Sequence, residues 1–532
     1  MADEVADIAK AYTFEGPAIE LGALVTETKA HPDAQVRIPL SMLNRHGLVA
    51  GATGTGKTKT LQLMAEQLST AGVPCVLADI KGDVSGLAAP GQSSDRIAAR
   101  AKDVGIDWVP RGYPVEFLSI GGVGTGTALR ATITSFGPQL LAKVMDMNDV
   151  QGSSLGLIFH YADKAGLPLL DLKDLRAVIQ WLTSDAGEGE LKALGGLSRS
   201  TAGVILRDLI ALEDQGADAF FGEPEFDTAD LMRTTPEGLG VLNILELQGL
   251  QDRPKLFSTF LMWLLADLFH DLPEVGDVDK PKLVFFFDEA HLLFDDATEA
   301  FLQSVAQTVR LIRSKGIGIF FVTQTPKDVH PDVLAQLGNR VQHALRAFTP
   351  DDAKKLKATV STFPKSTTYD LEELLTQLGI GEAVVTILSE RGTPTPVAWT
   401  RIRPPTSLMA QVDPALQNSL VQASPLFAKY NQALDRDSAA ELLAAKLAPA
   451  PPSRGPVSGE PTAEQIPTTP SMTPPRESAP EPIHEGLLDK LGGFFNSPMG
   501  KSMSRSLGTA VGREISRGVF GTAPRRRTKR RY

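Results

Sequence analysis

The strongest constraint on this chain is the run Gly51-Ala52-Thr53-Gly54-Thr55-Gly56-Lys57-Thr58, which fits the spacing G-x-x-x-x-G-K-[ST]. Residues 46–50 before it read as a strand and residues 58–69 after it as a helix. Glycines at these positions let the backbone turn its N–H groups inward around phosphate oxygens, through conformations that a Cβ would obstruct. Lys57 can then reach the β and γ phosphates, Thr58 offers a hydroxyl to Mg²⁺, and the start of the helix adds partial positive charge. A second glycine-rich run, residues 121–126, lacks the Lys-Ser/Thr pair and reads as a plain loop.

A phosphate cradle of this kind needs an acidic residue at the end of a buried strand to hold the Mg²⁺ water shell. Residues 282–287 form such a strand, ending in Asp288 and Glu289. Asp288 is expected on the metal side. Glu289, one residue beyond the strand edge, is placed to polarise a water for in-line attack on the γ phosphate. Residues 316–322 read as a further buried strand ending in Thr323 and Gln324, and strand ends are where open α/β sheets make ligand contacts. Gln324 is expected either to contact the γ phosphate or the attacking water, or simply to cap the turn at Thr325 and Pro326. ATP and Mg²⁺ are therefore the expected ligands.

Short runs rich in Val, Ile and Phe alternate with longer helical patterns, as when parallel strands are covered by helices on both faces. The expected class is α/β with a mostly parallel sheet. The clearest strand runs are 47–50, 73–78, 241–247, 283–287, 318–322, 341–347 and 383–388, and the stretch from about 136 to 233 is mostly helical. Residues 256–272 are apolar but carry Ser258, Thr259, Asp267, His270 and Asp271, which suits a buried helix and not a membrane span. Residues 449–482 hold 11 of the 37 prolines and no aromatic residue, the composition of a linker. Beyond them, Leu487, Leu488, Leu491, Phe494 and Phe495 share one helical face ahead of the basic cluster 525–531.

Four segments taken together, residues 50–58, 76–83, 285–290 and 313–326, resemble the HerA/FtsK group of hexameric motor ATPases. Within it the chain is most similar to the bacterial HerA-like helicases of the YjgR type, over roughly residues 15–403. The resemblance implies a RecA-like core in which ATP sits between neighbouring subunits of a ring, with a basic residue entering from the next subunit. By motif position Arg340, after Asn339, matches the trans-acting arginine, with Arg346 second. Asp79 and Asp83 match the acidic turn after the second core strand. The spelling Asp288-Glu289-Ala290-His291 does not make this an RNA helicase, and His291 is expected to be a residue of the next helix.

The implied organisation is an N-terminal short β segment (1–45), a first part of the core (46–135), a mostly helical insertion (136–235) and a second part of the core (236–405). A C-terminal helical segment (406–448), the Pro-rich linker (449–482) and a basic amphipathic tail (483–532) follow. Only residues 12–40 are left for the N-terminal β-barrel that HerA proteins carry.

Net charge is −10, but the final fifty residues carry eleven Lys/Arg against three Asp/Glu, a net of +8 that leaves −18 on residues 1–482. Whole-chain charge thus leaves the partner open, because a translocase can confine its basic groups to a channel. One cysteine, Cys75, and an N-terminus without a signal-peptide pattern point to a reducing cytoplasm. The first reading is a homo-oligomeric ring, a hexamer by resemblance, that uses ATP to translocate or unwind double-stranded DNA, with Arg310, Arg313 and Lys315 either facing a channel or solvated. The alternative is a nucleotide-gated ATPase acting on a protein or lipid partner through the 483–532 tail.

Overall fold

A single twelve-stranded sheet organises the computed structural model, which describes residues 2–447 apart from 194, 195, 251, 252, 295, 296, 433 and 435. Its strands are β1 (Ala18–Thr26), β2 (Lys29–Pro39), β3 (Gly47–Ala50), β4 (Cys75–Asp79), β5 (Val115–Ile120) and β6 (Thr127–Leu129). The second half of the chain adds β7 (Leu242–Glu246), β8 (Leu283–Phe287), β9 (Ile317–Thr323), β10 (Asn339–His343), β11 (Glu382–Thr386) and β12 (Ala398–Ile402). Their order is β2-β1-β12-β11-β10-β3-β9-β8-β4-β7-β5-β6. From β10 to β6 every pair is parallel, and β11, β12, β1 and β2 extend the sheet as an antiparallel wing. The N-terminal hairpin β1–β2 is thus an edge of the main sheet, joined to it through β12.

The strands are apolar on both faces because both faces are covered. Val284 and Phe286 enter one core with Leu61, Met64 and Leu68 of the helix Lys57–Thr70, while Phe285 and Phe287 enter the other with Phe260 and Trp263 of the helix Pro254–Asp271. Phe286 stacks on Phe320 and Phe287 on Phe321, so β8 and β9 are bonded ring to ring on opposite faces. Each fully buried Phe contributes about 2–3 kcal/mol. The helices between Ile133 and Asp214 pack on the second face. The apolar stretch at 256–272 is the buried helix Pro254–Asp271, and among the described residues no helix is long and apolar enough to cross a membrane.

Parallel register brings the functional strand ends to one edge. Ala50 lies opposite Thr323, Phe287 opposite Phe321 and Ala78, and Asp79 opposite Glu246. Strand β9 separates β3 from β8, so the turn after it adjoins both. The largest boundary difference from the sequence expectation is at β10, which spans Asn339–His343, not 341–347. The ladder stops because the Ala344 carbonyl accepts from Ala52 N–H at 2.8 Å and Leu345 N–H turns to the Leu375 carbonyl at 2.9 Å. Compact packing runs through Leu443. The linker 449–482 and the tail 483–532 lie outside the described residues.

Candidate functional site

The glycine-rich loop leaves β3 and enters the helix Lys57–Thr70 through Gly51, Gly54 and Gly56, at φ of 155°, 77° and 117°. Gly54 and Gly56 hold left-handed conformations that glycine adopts without strain. Gly51 is required for space, since a Cβ there would lie 2.5 Å from the Cβ of His343. Gly51 N–H donates to the carbonyls of Thr323 (3.2 Å) and Gln324 (3.1 Å), Ala52 N–H to that of Ala344, and Gly381 N–H to that of Thr55 (2.9 Å). Three neighbouring segments therefore pin the loop. The first N–H groups of the helix, as in any helix, have no carbonyl one turn back to bond.

Lys57 is buried and donates from Nζ to the carbonyls of Gly51 (2.7 Å) and Ala52 (3.3 Å). Burial lowers its pKa and nearby Lys81 adds to this, while the charges of Glu289 and Asp288 oppose it. Asp288 follows β8 and is buried; its Oδ1 accepts from Glu289 N–H at 2.9 Å. Its Oδ2 is buried with no hydrogen-bond partner among the described residues. Burial first, and the Glu289 charge second, raise the Asp288 pKa to about 6. An orphaned carboxylate oxygen in a buried site is what a hydrated divalent cation satisfies, so Asp288 fits a Mg²⁺ site.

Glu289 sits at φ 47°, a conformation that costs a non-glycine residue on the order of 1 kcal/mol and is typical of functional positions. Its Oε1 is bonded by the Lys81 ammonium, and its Oε2 lies 3.3 Å from His291 Nδ1 without hydrogen-bond geometry. His291 begins the short helix His291–Phe294. Asp79 closes the turn that carries Lys81: its carboxylate accepts the N–H groups of Gly82 (2.7 Å), Asp83 (3.2 Å) and Val84 (3.1 Å). Burial raises its pKa to about 6 despite those bonds.

Gln324 lies beside the loop through its carbonyl, and its side chain is exposed. The turn after it is capped by Thr325 and Asp328 instead. Arg340 pairs in register with Leu48, two residues before the end of β3, and its guanidinium contacts the carbonyls of Leu337 (3.5 Å) and Thr362 (3.3 Å). Arg346 lies past the end of β10, on the loop's edge of the sheet, exposed and 3.3 Å from the Thr376 carbonyl. Arg310, Arg313 and Lys315 precede β9 at the opposite edge; Lys315 covers the Phe269 ring and the two arginines are exposed. The 121–126 run is a turn between β5 and β6, and a Cβ on Gly126 would meet the Leu118 backbone at 2.8 Å.

The fold therefore gathers Lys57, Thr58, Asp288, Glu289 and the Gln324 backbone on one edge, and keeps Arg340 away from its own loop. Two residues that sequence reasoning passed over join them. Lys81 lies within the 76–83 segment, but nothing in the sequence ties it to a glutamate 208 positions away. His343 is buried between Thr60 Oγ1 (2.9 Å) and the Glu382 carbonyl (2.8 Å), and burial lowers its pKa to about 4, so it supports Gly51 as a neutral ring.

The family model described as "Helicase HerA-like C-terminal" matches residues 25–529. A probable helicase of Methanocaldococcus jannaschii, MJECL08, is 30% identical over 154 residues, which are 27% of this chain and 28% of the relative. A probable DNA double-strand break repair helicase HerA of the same organism is 32% identical over 112 residues, or 20% of each chain. The chain thus spans under a third of those two relatives. The DNA double-strand break repair helicase HerA of Sulfurisphaera tokodaii is 22% identical over 386 residues, covering 70% of this chain and 67% of its own. Among solved structures, the plasmid coupling protein TrwB in complex with the ATP analogue ADPNP superposes with a TM-score of 0.51 at 16% identity, covering 77% of this chain and 94% of its own. That likeness concerns the fold.

Proposed function

The chain belongs to the HerA-like helicase C-terminal family, a group of P-loop ATPases, and on that premise we propose that it hydrolyses ATP with Mg²⁺ as a ring and so moves double-stranded DNA. The observation that carries the proposal is the convergence, on one sheet edge, of a glycine loop, a buried lysine and two adjacent carboxylates with distinct surroundings. Thr58 and Asp288 would hold Mg²⁺, directly or through water, which supplies charge neutralisation on the phosphates. Lys57 exchanges its carbonyl partners for phosphate oxygens. Glu289 accepts a proton from the attacking water, and Gln324 orients that water. An arginine of a neighbouring subunit completes the charge; Arg346, exposed on the loop's edge, suits this better than Arg340, which is engaged by two carbonyls of its own chain. DNA as the substrate is supported by the HerA relatives of Methanocaldococcus jannaschii and Sulfurisphaera tokodaii, described as a probable DNA double-strand break repair helicase and a DNA double-strand break repair helicase.

Triplex displacement tests the reading: a third strand is annealed to linear duplex DNA and its release is followed with ATP. Release by the wild-type protein, lost in Glu289→Gln, is expected. An intact triplex under conditions where the protein hydrolyses ATP would retain the ATPase and remove DNA translocation.

A further inference from the structure

Lys81 is held at its backbone and placed at its tip. Asp79 ties the turn around it through three N–H groups, and Gln411 Nε2 donates to the Lys81 carbonyl at 2.9 Å. Gln411 belongs to a strap, residues 406–417, that crosses this edge of the sheet. There the backbone N–H groups of Thr406 and Ser407 donate to Glu66 of the loop helix, Val412 N–H to Ser85 Oγ and Gln417 Nε2 to Glu246. The side chain then reaches from solvent into the site: Lys81 is 45% exposed, whereas the Glu289 side chain it bonds is 6% exposed. Its charge is felt by Lys57 and Asp288 as well, so the ammonium lies within electrostatic reach of the groups that would surround a γ phosphate.

The ammonium is half in solvent while its carboxylate partner is buried, so it can change partners without disturbing the core, and a carboxylate oxygen bonded to an ammonium is not free to bond a water. We propose that Lys81 is a nucleotide-responsive restraint: it holds Glu289 when no γ phosphate is present, and shifts to a γ-phosphate oxygen when ATP binds, freeing the carboxylate. This rests on Glu289 being the base of the proposed ATPase. With the amine displaced, Glu289 takes a proton from water as the water oxygen bonds the γ phosphorus. The bond from that phosphorus to the β–γ bridging oxygen breaks, its electron pair stays with ADP, and phosphate leaves. Glu289 then gives up its proton to the departing phosphate or to solvent, and once phosphate is gone the Lys81–Glu289 pair re-forms. Competition between two anions for one ammonium gives the site a resting state that discriminates ATP from ADP, and it makes Lys81 a positioning residue for Glu289 and a contact to substrate.

A double-mutant cycle on the full chain tests this, with ATPγS and ADP affinity as the readout. Glu289→Gln should tighten ATPγS binding several-fold, because the ammonium is no longer held, and leave ADP binding unchanged. In a Lys81→Met background the same change should have no effect on ATPγS. Lys81→Met alone should lose at least tenfold in preference for ATPγS over ADP and in turnover, and Lys81→Arg should recover part of both. Additive effects of the two substitutions, or equal losses for ATPγS and ADP, would overturn the inference. If instead the wild-type protein binds both nucleotides with the predicted cycle yet does not hydrolyse ATP, the functional proposal fails and the restraint stands.

Discussion

Asp288→Asn should make the protein more stable while abolishing its turnover. The carboxyl is buried and its pKa stands at about 6 against an ordinary 3.8, so the folded state binds this proton more tightly than the unfolded chain does. Such a group contributes stability below the unfolded pKa, and that contribution is lost as pH rises through about 6. A shift of about two units corresponds to a penalty of about 3 kcal/mol at pH 8, and to about half of that at pH 5. Asparagine carries no charge and keeps an oxygen for the Glu289 N–H. Its amide NH₂ would occupy the unbonded Oδ2 position, which takes back about 1 kcal/mol. The net gain should be about 2 kcal/mol at pH 8 and about 0.5 kcal/mol at pH 5. Urea unfolding of both proteins at the two pH values, in EDTA so that no cation offsets the charge, reads this directly. A variant less stable than wild type at pH 8, or a gain of the same size at both pH values, would refute the reasoning that burial of this charge opposes folding.

Other outcomes follow from named contacts. Glu66 accepts the N–H and hydroxyl of both Thr406 and Ser407, so Glu66→Gln, which turns an NH₂ toward two of those donors, should lower stability by about 2–3 kcal/mol in urea unfolding. An unchanged midpoint would mean the strap is not fastened there. Arg346→Ala should lower ATP turnover by at least a hundredfold with little change in unfolding midpoint, as for an arginine supplied in trans. Arg340→Ala should instead mainly lower stability, by about 1 kcal/mol, through its two carbonyl contacts. The reverse pattern would exchange their roles.

Much of the site was legible because its chemistry is contiguous in the chain. Residues 51–58 carry loop, lysine and hydroxyl together, and Asp288 and Glu289 terminate a strand of five apolar residues whose burial on both faces is written in its composition. What was not legible depends on where the sheet folds back. The Lys81–Glu289 pair joins the ends of β4 and β8, adjacent strands far apart in sequence. His343 lies under Gly51 only because β10 pairs with β3. Strand β5 was missed because Glu116 and Ser119 interrupt its apolar pattern, and β6 because it has only three residues. Ala344 and Leu345 invited a longer β10, but their backbone is committed to Ala52 and Leu375.

Steady-state ATP hydrolysis with and without double-stranded DNA, in wild type beside Glu289→Gln, bears most directly on the central claim. Turnover that rises with DNA in wild type and is absent from Glu289→Gln under both conditions is the expected result. Hydrolysis indifferent to DNA would contradict the DNA motor, and hydrolysis that persists in Glu289→Gln would contradict the assignment of the site itself.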